Sequence, residues 1–139
     1  MSLHDDDTKN NPRARILIVE DDDDGAEALK ALLELEGYEV CTAPNGAEGL
    51  AVAAHFDPHI VLLDLNLPVV HGVEVAQHLR VNEHAMRRLI IGITGLSSAY
   101  PANAQAFDHK LSKPVDPDAL FALLRHEWQE RFADSPYAF

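Results

Sequence analysis

Acidic side chains directly follow two apolar runs of the sequence. Residues 60–63, IVLL, lead into Asp64, and the earlier run RILIV leads into Glu20 and Asp21. Clustered carboxylates repel one another unless a cation joins them, and Mg²⁺, a hard cation that prefers oxygen ligands, is the natural neutraliser. A carboxylate can also attack phosphorus and form an aspartyl-phosphate. These residue types therefore predict a site for Mg²⁺ and phosphoryl chemistry, provided that the fold brings them together.

Two further apolar runs end in side chains that could contact a phosphoryl group. LIIGIT ends in Thr94, and a short run that begins at Lys110 ends in Lys113. The ammonium of Lys113 and a bound Mg²⁺ would flank a transferring phosphoryl group and absorb its charge. Thr94 could donate a hydrogen bond to the same group. The candidate catalytic residues are therefore Asp64 as the phosphoacceptor, with Lys113 and Thr94.

Each of these residues also has a simpler interpretation when it is taken alone. Asp64 could cap a turn before Pro68, residues 20–24 could form a solvated acidic turn, Thr94 could be an ordinary β-former and Lys113 a surface charge. All of these interpretations would have to hold at once, at four strand ends. We therefore favour a shared site.

Strand and helix patterns alternate five times along the chain. The strands are predicted at residues 15–20, 38–42, 60–64, 89–94 and 110–113. Five βα units without an internal repeat predict one parallel sheet covered on both faces, and the chain is too short for an eightfold barrel. We predict an α/β fold, a flavodoxin-like doubly wound sheet of five parallel strands in the order 2-1-3-4-5. Its carboxyl edge would gather the candidate residues, because ligands bind at that edge.

Local signals predict where the helices begin, end and face inward. Asp24 is expected to cap the first helix and Gly37 to stop it. The side chains expected to face inward on that helix are those of Ala26, Leu29, Leu32 and Leu33. On the helix that opens near residue 72 they are those of Val73, Ala76 and Leu79. Asp116 is expected to cap the last helix, before a proline at its first position.

Length and composition exclude several classes of protein. The 139 residues carry a net charge of −12, which argues against a nucleic-acid or anionic-membrane surface and fits a basic partner or a bound cation. Cys41 is the single cysteine, so an internal disulfide cannot form, which suits a reducing compartment such as the cytoplasm. No apolar run approaches membrane-spanning length. We expect a polar leader over residues 1–14, one domain over 15–132 and a short tail over 133–139.

Four motifs at characteristic spacing resemble the receiver domain of bacterial two-component response regulators. They are ILIVEDD, LLDLNLPVVHG, GITG and KLSKPVD, and the resemblance covers about residues 15–131. It implies that Asp64 accepts a phosphoryl group from a phosphohistidine. It also implies that Mg²⁺ is bound by Glu20, Asp21 and Asp64, with the backbone carbonyl of Asn66 as a further ligand.

The resemblance assigns roles to the remaining candidates and to partners. Lys113 would pair with the phosphoryl group, Thr94 would move toward it, and Pro114 would follow a cis peptide bond. The donor would be a sensor histidine kinase or a histidine phosphotransfer protein, and the downstream target is open. The domain would signal rather than act as an enzyme on a separate substrate. A homodimer is compatible with the resemblance, and direct contact with nucleic acid or a membrane is not expected.

The sequence departs from the family pattern on the side that would pass the signal on. Family members usually carry an aromatic residue or His three positions before the lysine, where this chain has Lys110. The segment after Thr94 is shorter than usual by about one helical turn, and it contains Pro101. Burying the ammonium of Lys110 would be costly without a partner. We therefore expect Lys110 to face solvent and the response to run through residues 95–98 and a short helix after them.

Three other functions compete with the phosphoacceptor. A Mg²⁺ phosphatase of the haloacid-dehalogenase kind needs a second acid two residues after the nucleophile, and that position is Asn66. A flavodoxin needs a Ser/Thr/Gly-rich phosphate loop after the first strand, where four aspartates stand instead. A receiver-like scaffold that works without phosphate is the third, against which the complete set of site residues counts. The chain is either a stand-alone receiver or a piece of a longer regulator or hybrid kinase.

Overall fold

The computed structural model of the chain describes residues 14–65, 72–81, 88–95 and 106–132. Most of the expected leader, the expected tail, Asn66 and residues 96–98 lie outside the described residues. The helix expected between the fourth and fifth strands also lies outside them.

Five parallel strands form one sheet, in the predicted order β2-β1-β3-β4-β5. The strands are β1 (Arg15–Val19), β2 (Glu39–Ala43), β3 (Ile60–Asp64), β4 (Leu89–Thr94) and β5 (His109–Ser112). The described residues also form four helices, which are α1 (Asp23–Leu35), α2 (Gly46–Phe56), α3 (Gly72–Val81) and α4 (Pro117–Phe132). The doubly wound α/β fold predicted from the alternation of patterns is confirmed.

Side chains of the central strands alternate between two apolar cores, one on each face of the sheet. Ile16 and Ile18 of β1 enter the core beneath α1 and α4, whereas Leu17 and Val19 enter the core beneath α2 and α3. Because both faces are covered, strands β3 and β4 are buried at every position. This is why their sequences are continuous apolar runs rather than alternating ones.

Helix α1 begins two residues earlier than the predicted cap at Asp24 implies, and it ends where it was predicted to end. Asp22 is the N-cap residue in place of Asp24, because the main-chain carbonyl of Asp22 accepts the first helical hydrogen bond, from Ala26. Four consecutive aspartates could each have capped the helix, so the sequence signal was ambiguous. Gly37 adopts a φ of 100°, the left-handed conformation that terminates helices and that glycine adopts without strain.

The other local predictions, of helix faces and of the last cap, were confirmed in part. Ala76 and Leu79 of α3 are buried as predicted, whereas Val73 is only half-buried and Val75, which was not predicted, is fully buried. Leu32 of α1 is 38% exposed rather than inward-facing. Asp116 caps α4 as predicted, because its carboxylate accepts the main-chain N–H of Asp118.

Arginine side chains tie the loops together at the amino-terminal edge of the sheet, opposite the predicted site. Arg15 donates to the main-chain carbonyls of Phe56 and Asp57. Arg88 donates to the carbonyls of Pro58 and Leu79, and it forms an ion pair of 2.7 Å with Asp57. A buried guanidinium is tolerated only when its donors are satisfied, and these contacts satisfy them.

His59 lies in the same edge and is only 4% exposed. The main-chain N–H of Arg15 donates to Nδ1 of His59 at 2.9 Å, and the imidazole meets the Trp128 ring edge-on at 5.2 Å. Burial and, to a smaller extent, the charges of Arg15 and Arg88 together lower the pKa of His59 to about 4, against the opposite effect of Asp57. The ring is therefore neutral at pH 7, as its role as an acceptor requires.

The neutral His59 predicts a loss of stability in mild acid. The unfolded chain takes up a proton near pH 6.5 and the folded chain only near pH 4, so stability is full above pH 6.5 and falls as the pH drops toward 4. Between pH 7 and 5 we expect His59 to account for a loss of about 2 kcal/mol in unfolding free energy. Urea unfolding of the wild type and His59→Asn at both pH values measures the difference.

His78→Asn, which replaces an exposed histidine of α3 by the same residue type, is the matched control for the substitution itself. An equal loss between pH 7 and 5 in the wild type and in His59→Asn would contradict the account of His59.

Candidate functional site

Four of the candidate residues meet at the carboxyl edge of the sheet. Glu20 and Asp21 follow β1, Asp64 is the last residue of β3, and Lys113 directly follows β5. Strands β1 and β3 are neighbours, so their ends lie side by side. A carboxylate oxygen from each of Glu20, Asp21 and Asp64 lies within 4.8 Å of the other two. The parallel sheet therefore brings together the acidic residues that the sequence placed far apart.

Lys113 crosses the end of the sheet to reach two of these carboxylates. Its Nζ lies 3.1 Å from Oε1 of Glu20 and 3.1 Å from Oδ2 of Asp64. The main-chain N–H of Lys113 donates to the carbonyl of Thr94 at 2.8 Å, so the lysine continues the pairing of β5 with β4. One ammonium thus neutralises part of a charge cluster that would otherwise repel itself.

The pKa values of this cluster reflect a competition between burial and pairing. Burial raises the pKa of Glu20, and so do the carboxylates of Asp21 and Asp64, while the N–H of Asp22 and the ammonium of Lys113 offset only part of the shift. Partial burial would lower the pKa of Lys113, but its hydrogen bonds to Asp64 and Glu20 outweigh burial and raise it. Lys113 is therefore positively charged at pH 7. Its single charge does not balance three carboxylates, so a further cation would stabilise the site.

Asp64 is the most buried member of the site, at 3% exposure. It closes a strand whose other residues are fully buried, and the next N–H, that of Leu65, donates to the carbonyl of Ile93 in the adjacent strand. A buried carboxylate costs free energy unless it is paired, and Lys113 provides that pairing. The strand end presents this carboxylate at a single, well-determined position.

The start of α3 packs tightly against the chain just after Asp64. A Cβ atom at Gly72 would lie 2.9 Å from the main-chain carbonyl oxygen of Asp64 and 2.9 Å from Cα of Leu65. Real Cβ contacts are not that short, so only glycine fits there without moving the backbone. Gly72 therefore helps to determine where the main chain runs behind the Asp64 carboxylate.

Thr94 stands at the same edge but does not join the charge cluster through a described contact. It is 5% exposed, it ends β4, and its hydroxyl donates to the carbonyl of Gly95 at 3.3 Å. That bond is long for a hydroxyl donor. The hydroxyl could therefore exchange this weak partner for a stronger acceptor at the strand end.

A cavity of about 550 Å³ opens beside the cluster, between α1 and the chain that follows β5. Asp64, Glu20 and Lys113 line its polar end, and the side chains of Ala26 and Leu29 on α1 line its apolar side. The carboxylate of Asp64 is thus reachable from outside although little of its surface is exposed. Oxygen donors and one ammonium around a reachable carboxylate can hold a hard cation and a phosphoryl group.

The outcome at Lys110 agrees with the expectation from the sequence. Lys110 is exposed on β5, so its ammonium is not buried at the position where the family usually has an aromatic residue. The peptide bond between Lys113 and Pro114 is cis, as the resemblance implied. The fifth strand itself runs one residue earlier than predicted, so Lys113 follows it rather than ending it.

The sequence pattern of the response regulator receiver domain matches residues 16–125, which is well over half of the chain. The chain belongs to this family. Receiver domains are signalling domains, and a phosphoacceptor role is general among them. No helix within the described ranges is long and apolar enough to cross a membrane.

Known relatives of this receiver domain are response regulators. The cell cycle response regulator CtrA of Brucella ovis is 34% identical over 109 residues, which are 78% of this chain and 47% of that protein. CtrA of Brucella anthropi matches to the same extent. The chain spans about half the length of the curated relatives it matches.

Solved structures of receiver domains share the fold. A CheY-like receiver domain from Methylobacillus flagellatus superposes with a TM-score of 0.76 at 29% identity, covering 82% of this chain and 98% of that one. The response regulator TrrA from Thermotoga maritima was solved in complex with Mg²⁺-BeF. It superposes with a TM-score of 0.70 at 32% identity, and the alignment covers 81% of this chain and 96% of the TrrA chain.

Several buried ionic residues were not identified from the sequence. Asp108, whose side chain is 8% exposed, pairs with Arg80 of α3 and Arg131 of α4. Arg88 was likewise passed over, although it is buried. Their sequence neighbourhoods contain no characteristic motif, because their partners come from other elements of the fold. The one available signal was a charged residue next to a buried apolar run.

The close approach at Gly72 predicts a selective loss of stability. Gly72→Ala should lower the unfolding free energy by about 1–3 kcal/mol, because the new methyl group meets backbone atoms that cannot rotate away. Gly25→Ala is the matched control, since its Cβ would meet only the carboxylate end of the exposed Asp22. We expect Gly25→Ala to be neutral or stabilising in urea unfolding. Equal effects of the two substitutions would contradict this account.

Proposed function

We propose that this receiver domain is a phosphoacceptor of a two-component phosphorelay, in which Asp64 takes a phosphoryl group from a phosphohistidine with Mg²⁺ bound. The position of Asp64 supports the proposal most strongly. Its carboxylate is buried, lies 3.1 Å from the ammonium of Lys113, and shares a 4.8 Å cluster with Glu20 and Asp21. A carboxylate placed in this way has a positive charge beside it and an open cavity in front of it.

The transfer forms one bond and breaks one bond. A carboxylate oxygen of Asp64 attacks the phosphorus, the P–N bond of the phosphohistidine breaks, and its electron pair stays on the imidazole nitrogen, which then takes up a proton. The product is an acyl phosphate on Asp64 and a neutral histidine on the donor. Water later cleaves the acyl phosphate and regenerates the carboxylate.

Glu20, Asp21 and Asp64 are the side chains that would hold Mg²⁺, and the backbone carbonyl of Asn66 is the further ligand expected from the sequence. Their oxygen atoms are the donors that Mg²⁺ prefers. Burial is the largest cause of the raised pKa of Glu20, and the carboxylates of Asp21 and Asp64 add to it, so a bound cation would stabilise the ionised form of Glu20. Bound Mg²⁺ would supply positive charge at the oxygens of the transferring phosphoryl group.

Lys113 contributes positive charge from the protein itself. Before transfer its ammonium is shared between Glu20 and Asp64. After transfer the phosphoryl group adds about −1.5 to −2 charge at this edge, so the ammonium pairs with a phosphoryl oxygen and its contact with Glu20 weakens. The hydroxyl of Thr94 exchanges the carbonyl of Gly95 for the same group. These two changes of partner convert phosphorylation into a change of shape.

The proposed partners follow from this chemistry. The phosphodonor is a sensor histidine kinase or a histidine phosphotransfer protein, and the domain does not turn over a separate substrate. The downstream target recognises the side of the domain that carries Thr94 and β5. The exposed ammonium of Lys110 on that strand offers the target a charged contact. The acidic net charge favours a donor whose docking surface is basic.

The phosphoacceptor assignment predicts that Asp64→Asn removes phosphorylation and keeps the fold. An amide is a far poorer nucleophile than a carboxylate, so incubation with acetyl phosphate and Mg²⁺ should add no phosphoryl group to this variant. Intact-mass spectrometry reads the result. Asp23→Asn is the control, because Asp23 lies near the site in the first turn of α1 but outside the cluster. A phosphorylated Asp64→Asn protein would show that the acceptor is another residue.

The metal assignment predicts opposite effects of two kinds of substitution on Mg²⁺ affinity. Glu20→Gln and Asp21→Asn each remove a ligand charge and should weaken binding about tenfold. Lys113→Ala removes a cation that competes for Glu20 and Asp64, and because Lys113 is partly exposed the gain should be about two- to fivefold. Mg²⁺ titration followed by NMR measures each dissociation constant, with Asp23→Asn as the control. Weaker binding in Lys113→Ala would contradict the competition.

A further inference from the structure

Lys113 depends for its position on a short strand at the edge of the sheet. Strand β5 has four residues, His109–Ser112, and it pairs with β4 at the end of the strand order. Along a strand the chain advances about 3.3 Å per residue. A slip of one residue would therefore move Lys113 by more than the 3.1 Å that separates its ammonium from Asp64. The register of β5 must be held by other contacts.

Asp108 provides these contacts at the opposite end of β5. Its main-chain N–H donates to the carbonyl of Ile90 at 2.8 Å, and its carboxylate accepts the N–H of Ile90 at 2.8 Å. The side chain thus completes a two-way pairing with one residue of β4. Because both hydrogen bonds go to Ile90, they specify a single register, which continues as His109 opposite Ile91.

The same carboxylate joins β5 to helices on both faces of the sheet. Oδ2 lies 2.5 Å from the guanidinium of Arg80 in α3, and Oδ1 lies 3.2 Å from that of Arg131 in α4. Arg80 also donates to the carbonyl of Ala106, just before β5, at 3.0 Å. Arg131 is held by Glu127 at 2.6 Å. Movement of β5 would break contacts to three other elements at once.

Asp108 remains ionised within this network. Burial would raise the pKa of its carboxyl, but the N–H of Ile90 and the guanidinium groups of Arg80 and Arg131 outweigh burial and lower it. The charge that holds the two arginines is therefore present throughout the range in which proteins are usually studied. Hydrogen bonds to charged groups are stronger than neutral ones, which suits a contact that must hold an edge strand.

We propose that Asp108 is a positioning residue for Lys113, holding β5 in the register that places the Lys113 ammonium against the phosphoryl site at the far end of the strand. The inference rests on the role proposed above for Lys113. It explains why a carboxylate outside the site is buried among two arginines. The role proposed for β5, to position Lys113, does not require an aromatic residue at position 110.

A double-mutant cycle on the 139-residue chain tests this proposal. The measured quantity is the dissociation constant of beryllofluoride, a phosphoryl mimic, at saturating Mg²⁺, followed by NMR. Lys113→Ala should weaken binding about tenfold, because a charged hydrogen bond is lost. Asp108→Asn should weaken it about three- to tenfold, the range for residues that are coupled. In the Lys113→Ala background Asp108→Asn should have no further effect.

Asp57→Asn is the matched control. Asp57 also pairs with a buried arginine at the amino edge of the sheet, namely Arg88. Unlike Asp108, however, Asp57 precedes β3 and not β5. Asparagine tolerates the left-handed backbone of residue 57, where φ is 50°. We expect Asp57→Asn to lower stability and to leave beryllofluoride affinity unchanged. If Asp108→Asn does not fold, Arg131→Gln, which removes one partner of Asp108, takes its place in the cycle.

The possible failures are distinguishable. Wild-type affinity in Lys113→Ala would overturn the proposed role of Lys113 itself. Weaker affinity in Lys113→Ala together with wild-type affinity in folded Asp108→Asn would overturn only the positioning role. An equal effect of Asp108→Asn in both backgrounds would also overturn it, since the loss would then be a general effect on structure.

Discussion

The ammonium of Lys113 lies 3.1 Å from a carboxylate oxygen of Glu20 and 3.1 Å from one of Asp64, and the rest of the site depends on this pairing. Without it, Asp64 would be a nearly buried carboxylate with like charges beside it, an arrangement that costs free energy. Burial, and after it the carboxylates of Asp21 and Asp64, raise the pKa of Glu20 more than its contacts with Asp22 and Lys113 lower it. Because three carboxylates face one ammonium, each positive charge that enters the site stabilises it. This favours the binding of a divalent cation, and of a phosphoryl group that arrives together with one.

The fold serves this pairing by holding the two edges of the sheet in different ways. At the carboxyl edge, three strand ends present charged side chains that line a cavity. At the amino edge, Arg15 and Arg88 bind loop carbonyls, His59 packs against Trp128, and Asp108 joins β5 to its neighbours. One edge can respond to a new charge because the other is held firmly. A displacement of β5 would therefore move Lys113 away from the site, although the contacts that prevent this displacement lie at the opposite end of the strand.

The sequence predicted those features that depend on local patterns. The sheet order, the burial of the strand that ends in Asp64, and the meeting of Glu20, Asp21 and Lys113 followed from apolar runs and from the rule that parallel strand ends share an edge. Predictions failed where neighbouring choices were nearly equivalent, as among the four aspartates before α1, or at the margin of a helix face, as at Leu32 and Val73. The ion pairs of Asp108 and Arg88 could not be predicted, because each joins elements whose contact is decided by the whole fold.

The most direct test of the phosphoacceptor assignment locates the acyl phosphate itself. Borohydride reduces a phosphorylated aspartate to homoserine, so the wild-type chain is phosphorylated with Mg²⁺ present, reduced, digested and sequenced by tandem mass spectrometry. We expect homoserine at position 64 and unmodified aspartate at position 21. Homoserine at Asp21 or at another aspartate, with Asp64 unmodified, would contradict it.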